Sequence, residues 1–260
     1  MRKYGYDFDI GVQGFSFGGA NSGVATQCAP PDQAIELMRA CGLTALEPWK
    51  PQLDPLAWDD VETEIAKYRD AGITLTAMGS WGIGKDEGQD RKLFACAKLA
   101  GLQAITGNLS WDGTKESLAG VEQLTEEYGV KFAMHNHGRK HKMGSKWIRD
   151  EILAAASERI GLCLDVGWLL DSGENPEDAV EQYYDRIVGI HMRDCEFDRA
   201  GKFLDVVPGT GNLDMPRLLG ILKQRGFSGY FSIEYAGNAE DRVEAIRERA
   251  EAIRSFGGKD

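Results

Sequence analysis

Residues 129–137 read Gly-Val-Lys-Phe-Ala-Met-His-Asn-His. The glycine closes a stretch of helical period near 114–128, where a backbone turning through positive φ ends a helix. A short apolar, β-leaning run follows over 131–135, and polar residues that can do chemistry end it. The same unit recurs on both sides of this one. Strands are expected at 10–15, 45–48, 74–78, 104–107, 131–135, 161–166, 187–191 and 230–234. Between them lie helices expected at 31–41, 59–71, 87–100, 114–128, 146–157, 176–184, 215–225 and 241–255. Asn175 before Pro176, with Glu177 and Asp178 in the first turn, is a helix start; Gly72, Gly101, Gly129 and Gly226 are helix stops. Strictly alternating strands and helices demand a parallel sheet, because each helix carries the chain back to the same end. Eight repeats close into a single (β/α)8 TIM barrel spanning 1–260. An open doubly wound sheet is the competitor, but Gly11, Gly14, Gly18 and Gly19 are misplaced for a dinucleotide fingerprint.

Composition narrows the partners. The chain is 42% hydrophobic and 27% charged, which suits a soluble domain with a large core. Its net charge of −11 disfavours nucleic acid and anionic membrane surfaces. Five cysteines, Cys28, Cys41, Cys96, Cys163 and Cys195, are odd in number and widely spaced, as in a reducing compartment. The first nine residues lack the apolar stretch of a signal peptide, and no run reaches the length of a membrane helix. A cytoplasmic protein is expected, with a homo-oligomer or a second subunit compatible with the sequence.

In such barrels the reactive groups gather at the carboxyl ends of the strands. Three of the four histidines, His135, His137 and His141, follow the fifth strand. The sixth strand ends at Asp165, the seventh at His191 and the eighth at Glu234. Two acids and imidazoles converging on one mouth make a mixed nitrogen and oxygen shell for a divalent metal. Each has a plainer reading on its own. Asp165 can cap the next helix, Glu234 can pair with Arg242, His191 can be a satisfied core histidine, and the histidine cluster among Arg139, Lys140 and Lys142 can be a solvated loop. Their joint appearance at successive strand ends favours the metal site, since burying them together costs several kcal/mol without compensation.

The phrases Leu164-Asp165-Val166-Gly167-Trp168, His191-Met192-Arg193-Asp194, Pro208-Gly-Thr-Gly-Asn-Leu-Asp214 and Tyr230-Phe-Ser-Ile-Glu-Tyr235 follow one another as in a known family. The chain resembles the sugar phosphate isomerase/epimerase family of xylose-isomerase-like barrels, which includes tagatose epimerase, inosose dehydratase and keto-glycoside lyases. The resemblance implies one divalent metal, most often Mn2+, with Co2+, Zn2+ or Mg2+ as alternatives, held by Asp165, His191 and Glu234. Two positions depart from the pattern. Many epimerases end the fifth strand with a glutamate that is ligand and base, where this chain has His135. The fourth ligand is then His135, His137, His141 or water. Thr210 stands where relatives commonly carry glutamate.

The resemblance implies removal of a proton beside the carbonyl of a sugar or keto-sugar. His137 or His135 is expected as one acid/base and Glu234 as the other, imidazole being suited to neutral pH. Return of the proton gives an isomerase or epimerase; loss of a β-substituent gives a lyase or dehydratase acting on a 3-keto-sugar or 3-keto-glycoside. Aromatics near strand ends, Phe15, Trp49, Trp81, Trp111 and Trp168, suit the apolar faces of a sugar, while Glu47, Asn108, Asn136 and Arg193 suit its hydroxyls. Two rival classes stand beside this reading. An abasic-site endonuclease on the same barrel needs more metal ligands and a positive groove, and a non-catalytic sugar-binding subunit is motivated by the missing glutamate.

Overall fold

The computed structural model describes residues 8–18, 29–50 and 52–257. Gly19, Cys28 and residues 1–7, which the sequence reading used, lie outside these. The strands are β1 (Ile10–Gln13), β2 (Ala45–Glu47), β3 (Thr74–Leu75), β4 (Ala77–Ile83), β5 (Ala104–Leu109), β6 (Lys131–His135), β7 (Ile160–Asp165) and β8 (Ile187–Met192). A hairpin of β9 (Asp194–Phe197) and β10 (Phe203–Val206) comes next, then β11 (Tyr230–Ile233). The helices are α1 (Pro31–Cys41), α2 (Val61–Asp70), α3 (Glu87–Leu99), α4 (Ala119–Tyr128), α5 (Lys146–Ala155), α6 (Val166–Asp171), α7 (Pro176–Tyr183), α8 (Met215–Arg225) and α9 (Arg242–Phe256).

All sheet neighbours outside the hairpin are parallel, in the order β3-β2-β1-β11-β8-β7-β6-β5-β4. The two ends of that order are halves of one strand. Thr76, between β3 and β4, donates its N–H to Leu46 of β2 (2.9 Å) and accepts from Gln103 at the entrance of β5 (3.0 Å). The run 74–83 therefore closes the sheet into an eight-stranded barrel, the TIM barrel that the alternation required.

Helix ends follow their local chemistry. Asn175 Oδ1 accepts Asp178 N–H at 2.8 Å, and Gly72, Gly101, Gly129 and Gly226 all take positive φ. α2 starts two residues later than expected because Asp60 caps it through Thr63 N–H (3.0 Å). α4 starts five residues later. Asp112 captures the backbone and hydroxyl of Thr114 in a local turn that competes with helix.

The barrel interior carries a layer of small residues, Ala77, Ala104, Ala133, Cys163 and Val188, packed around Tyr230. A Cβ on Gly189 would lie 2.0 Å from the Tyr230 ring, so glycine at 189 makes room for the tyrosine. Tyr230 Oη and Thr106 Oγ1 satisfy each other at 2.6 Å. Ala133 and His135, Cys163 and Asp165, and Tyr230 and Glu234 are even steps apart along their strands, so each pair shares a face. The polar mouth of the barrel thus stands on this packed layer. Cys41, Cys96, Cys163 and Cys195 are free thiols, all buried. Among the described residues no helix is long and apolar enough to cross a membrane.

Candidate functional site

Sheet register brings the strand-end residues together. Asp165 stands opposite His191 across β7 and β8, and Glu234 N–H bonds to Met192 O (3.2 Å) just beyond the β11 and β8 pairing. Ligand atoms of His135, Asp165, His191 and Glu234 lie within 4.8 Å of one another. His191 Nδ1 is 2.7 Å from Glu234 Oε2 and 2.9 Å from His135 Nε2; His135 Nε2 is 3.8 Å from both Asp165 Oδ2 and Glu234 Oε2. Two atoms bound to one divalent ion at about 2.1 Å each are at most about 4.2 Å apart, and the four distances of 2.7–3.8 Å fall within that span.

Asp165 shows how local structure prepares the site. Its Oδ1 caps α6 by accepting Trp168 N–H (2.8 Å), the plainer role that its position allowed, while Oδ2 is buried, faces the cluster and has no hydrogen bond. An orphaned carboxylate oxygen beside two imidazoles is a donor set that suits a cation. Asn136 fixes the same strand end, donating to Asp165 O (3.0 Å) and accepting Asp165 N–H (2.8 Å). Glu234 does not pair with Arg242, which instead donates to Ser16 O and Gly237 O.

The electrostatics are those of a buried charge cluster. Burial raises the pKa of Asp165 against the pull of Arg193. Burial acts upward on Glu234 too, but contacts to His135, His191 and Arg193 outweigh it and hold that carboxyl well below its ordinary range. For His191, burial alone would lower the pKa; Cys163, Glu47 and Glu234 outweigh it and raise it well above the ordinary value. Arg193 Nη1 lies 3.6 Å from both Asp165 Oδ2 and Glu234 Oε1, and its guanidinium sits over Trp168 (4.7 Å) and Phe203 (4.8 Å).

His137 belongs beside the cluster, its ring 4.7 Å from that of His135. Its Nε2–H donates to Asn108 Oδ1 (3.0 Å), leaving the lone pair on Nδ1. Burial first, then His135 and His141, push its pKa down to about 3. His141 is exposed and outside the converging group, and its Nδ1 accepts Met143 N–H.

A cavity of about 350 Å³ opens over the cluster, and Trp49, Trp168 and Arg193 line it as the sequence reading expected. Three expected substrate contacts lie elsewhere. Glu47 is fully buried, with Oε2 accepting His191 Nε2–H at 2.7 Å, so it orients that imidazole rather than meeting a sugar. Trp81 is buried in the hydrophobic core with Lys50 over its ring. Trp111 lines a separate surface pocket. Asn108 reaches the site through His137. Gln13, Ser80 and Ala236 also line the cavity. Gln13 was findable by the strand-end rule, as the last residue of β1. Asp205 was not: it pairs with Arg193 (3.4 Å) and Arg249 (2.7 Å) from β10, which carries no motif.

The profile of the family described as xylose isomerase-like TIM barrel matches residues 35–256. The chain belongs to this family. An inosose dehydratase of Clostridium botulinum is 28% identical over 195 residues, which cover 68% of the chain and 63% of that protein. The matched part is thus less than two thirds of this relative's length. Two solved structures share the fold. The 3-keto-D-glucoside 4-epimerase YcjR from E. coli superposes with a TM-score of 0.70 at 18% identity, covering 95% of this chain and 99% of its own. The IolI protein, solved with a zinc atom bound, gives a TM-score of 0.72 at 18% identity, covering 96% of this chain and 98% of its own. This xylose isomerase-like barrel thus has an inosose dehydratase among its sequence relatives and a 3-keto-D-glucoside 4-epimerase among its fold neighbours.

Proposed function

We propose that the protein is a divalent-metal-dependent enzyme that removes a proton from the carbon beside the carbonyl of a keto-sugar or keto-cyclitol. The observation that carries this reading is the convergence of His135, Asp165, His191 and Glu234 beside a neutral His137. Those four residues would hold the ion, with Mn2+ first and Co2+, Zn2+ or Mg2+ as alternatives for this nitrogen and oxygen set. A cation bound there withdraws electron density from the substrate carbonyl and so acidifies the neighbouring C–H. His137 takes the proton on Nδ1, with its Nε2–H braced by Asn108. Glu234, whose Oε1 faces Arg193, is the second acid/base. Trp49 and Trp168 offer apolar faces for the ring of the substrate, and Arg193 offers polarity. The buried free thiols suit a cytoplasmic enzyme.

Return of the proton makes the enzyme an isomerase or epimerase. A second reading, elimination of a β-substituent, is favoured by one observation: among the described residues, apart from the four clustered ones and Arg193, His137 is the titratable group lining the cavity. If Glu234 serves only as a ligand, a two-base epimerisation lacks its second base. The test is NMR of keto-sugars, 3-keto-glycosides and inosose-type keto-cyclitols incubated in D₂O with metal-loaded protein. Deuterium is expected beside the carbonyl, and the product skeleton tells return from elimination. His137→Gln should slow exchange by roughly 10²–10⁴-fold while retaining metal. Turnover at the full rate by completely demetallated protein would overturn the proposal.

A further inference from the structure

A second cavity, of about 610 Å³, adjoins the first, and His137 and Trp168 line both. Its outer wall is the β9 and β10 hairpin, with Lys202 and Phe203 facing the chamber, and its other side is the loop that carries Arg139 and Lys140. Arg139 pins the hairpin in place, donating through Nη2 to Gly201 O (2.7 Å) and lying over the Phe197 ring. Its charge is matched by Asp171 at 3.3 Å. Lys140 and Lys202 are different: both are exposed, and among the described residues neither ammonium has an ion-pair partner. Trp168 and Phe203, with ring centroids 5.2 Å apart, add an aromatic surface. The chamber thus combines two uncommitted cations with flat apolar faces, on a chain whose net charge of −11 repels anions elsewhere.

We infer that the larger chamber is a subsite for the second part of a two-part substrate, a planar aglycone carrying an anionic group, so that the substrate class is an anionic aryl glycoside. The inference rests on the proton-transfer reading, which seats the reacting sugar in the smaller cavity. A ring linked to that sugar passes the Trp168 and His137 wall that the two cavities share, and its charge meets Lys140 and Lys202.

The test is equilibrium binding to the full chain loaded with Mn2+, followed by tryptophan fluorescence. The probes are glucose, phenyl β-glucopyranoside and 4-carboxyphenyl β-glucopyranoside. The carboxyphenyl compound is expected to bind roughly tenfold tighter than the phenyl compound, as one or two charge-assisted contacts supply, and the phenyl compound tighter than glucose. The double variant K140A/K202A should erase the first preference and keep the second. Equal affinities for the two glycosides in the wild type, a preference that survives in the double variant, or no saturable binding of any probe would overturn the inference. Deuterium exchange into a 3-keto-glucose, run in parallel, separates the two readings. Exchange without aglycone preference removes the subsite alone, whereas preference without exchange supports the subsite and removes the proton-transfer reading.

Discussion

Glu47→Gln isolates the one carboxylate whose place in the site differs from the sequence expectation. The variant keeps size and shape in a fully buried position and removes one charge. Glutamine can still turn its amide oxygen to His191 Nε2–H, so the 2.7 Å contact survives as a neutral hydrogen bond. A charge-assisted bond is about twice as strong as a neutral one, and the imidazole loses the basicity that the carboxylate lends it. Loss of such a partner to a metal-ligating histidine weakens metal affinity about 10–100-fold, which is roughly 1.4–2.7 kcal/mol. Competition of wild-type and variant protein against a chromophoric chelator for Mn2+ and Zn2+ measures this directly, with a thermal melt to verify folding. Metal affinity within about twofold of wild type would refute the reasoning. If Glu47 met the substrate instead, the variant would raise KM and leave metal affinity alone.

The raised pKa of His191 means that the metal-free chain carries a proton there at neutral pH, so loading must displace it. Calorimetry in buffers of different protonation enthalpy should find about one proton released per ion, with affinity falling roughly tenfold per pH unit below that pKa; release of none would contradict the assignment. Gly189→Ala would drive a Cβ to 2.0 Å from the Tyr230 ring and should cost about 3 kcal/mol, a Tm drop on the order of 10 °C. Asp194→Ala would strand four backbone N–H donors, those of Cys195, Gly209, Gly211 and Leu213, which the carboxylate accepts at 2.8–3.0 Å. It should lower stability by about 3 kcal/mol or more and speed amide exchange across 207–213; unchanged exchange would show that the loop is held otherwise.

Asp194 also explains a motif that the resemblance carried without a reason. Pro208 to Asp214 wraps its backbone around that carboxylate, and a Cβ on Gly211 would come within 2.6 Å of Asp194 Oδ1. Thr210 points away, its hydroxyl bonded to Val207 O on the exposed side, so the lost glutamate leaves no gap in the cluster.

By itself the sequence determined the barrel, because eight alternations of period-2 and period-3.6 segments allow few parallel closures, and helix caps are read within three or four residues. It also named the residues at the strand ends, since strand periodicity fixes which side chain stands last. Only the tertiary structure decided which of them converge. His135 rather than exposed His141 joins Asp165, His191 and Glu234, because the pairing of β6, β7, β8 and β11 brings strand ends into register, and spacing along the chain holds no such information. Glu47 turned inward to His191 from a strand 144 residues away. α6 follows β7 without a break, too short and apolar to show a period, and the β9 and β10 hairpin has partly exposed strands that carry no alternating core pattern. Asp205 and the wall of the second chamber come from that hairpin, so both became visible only once the chain was folded.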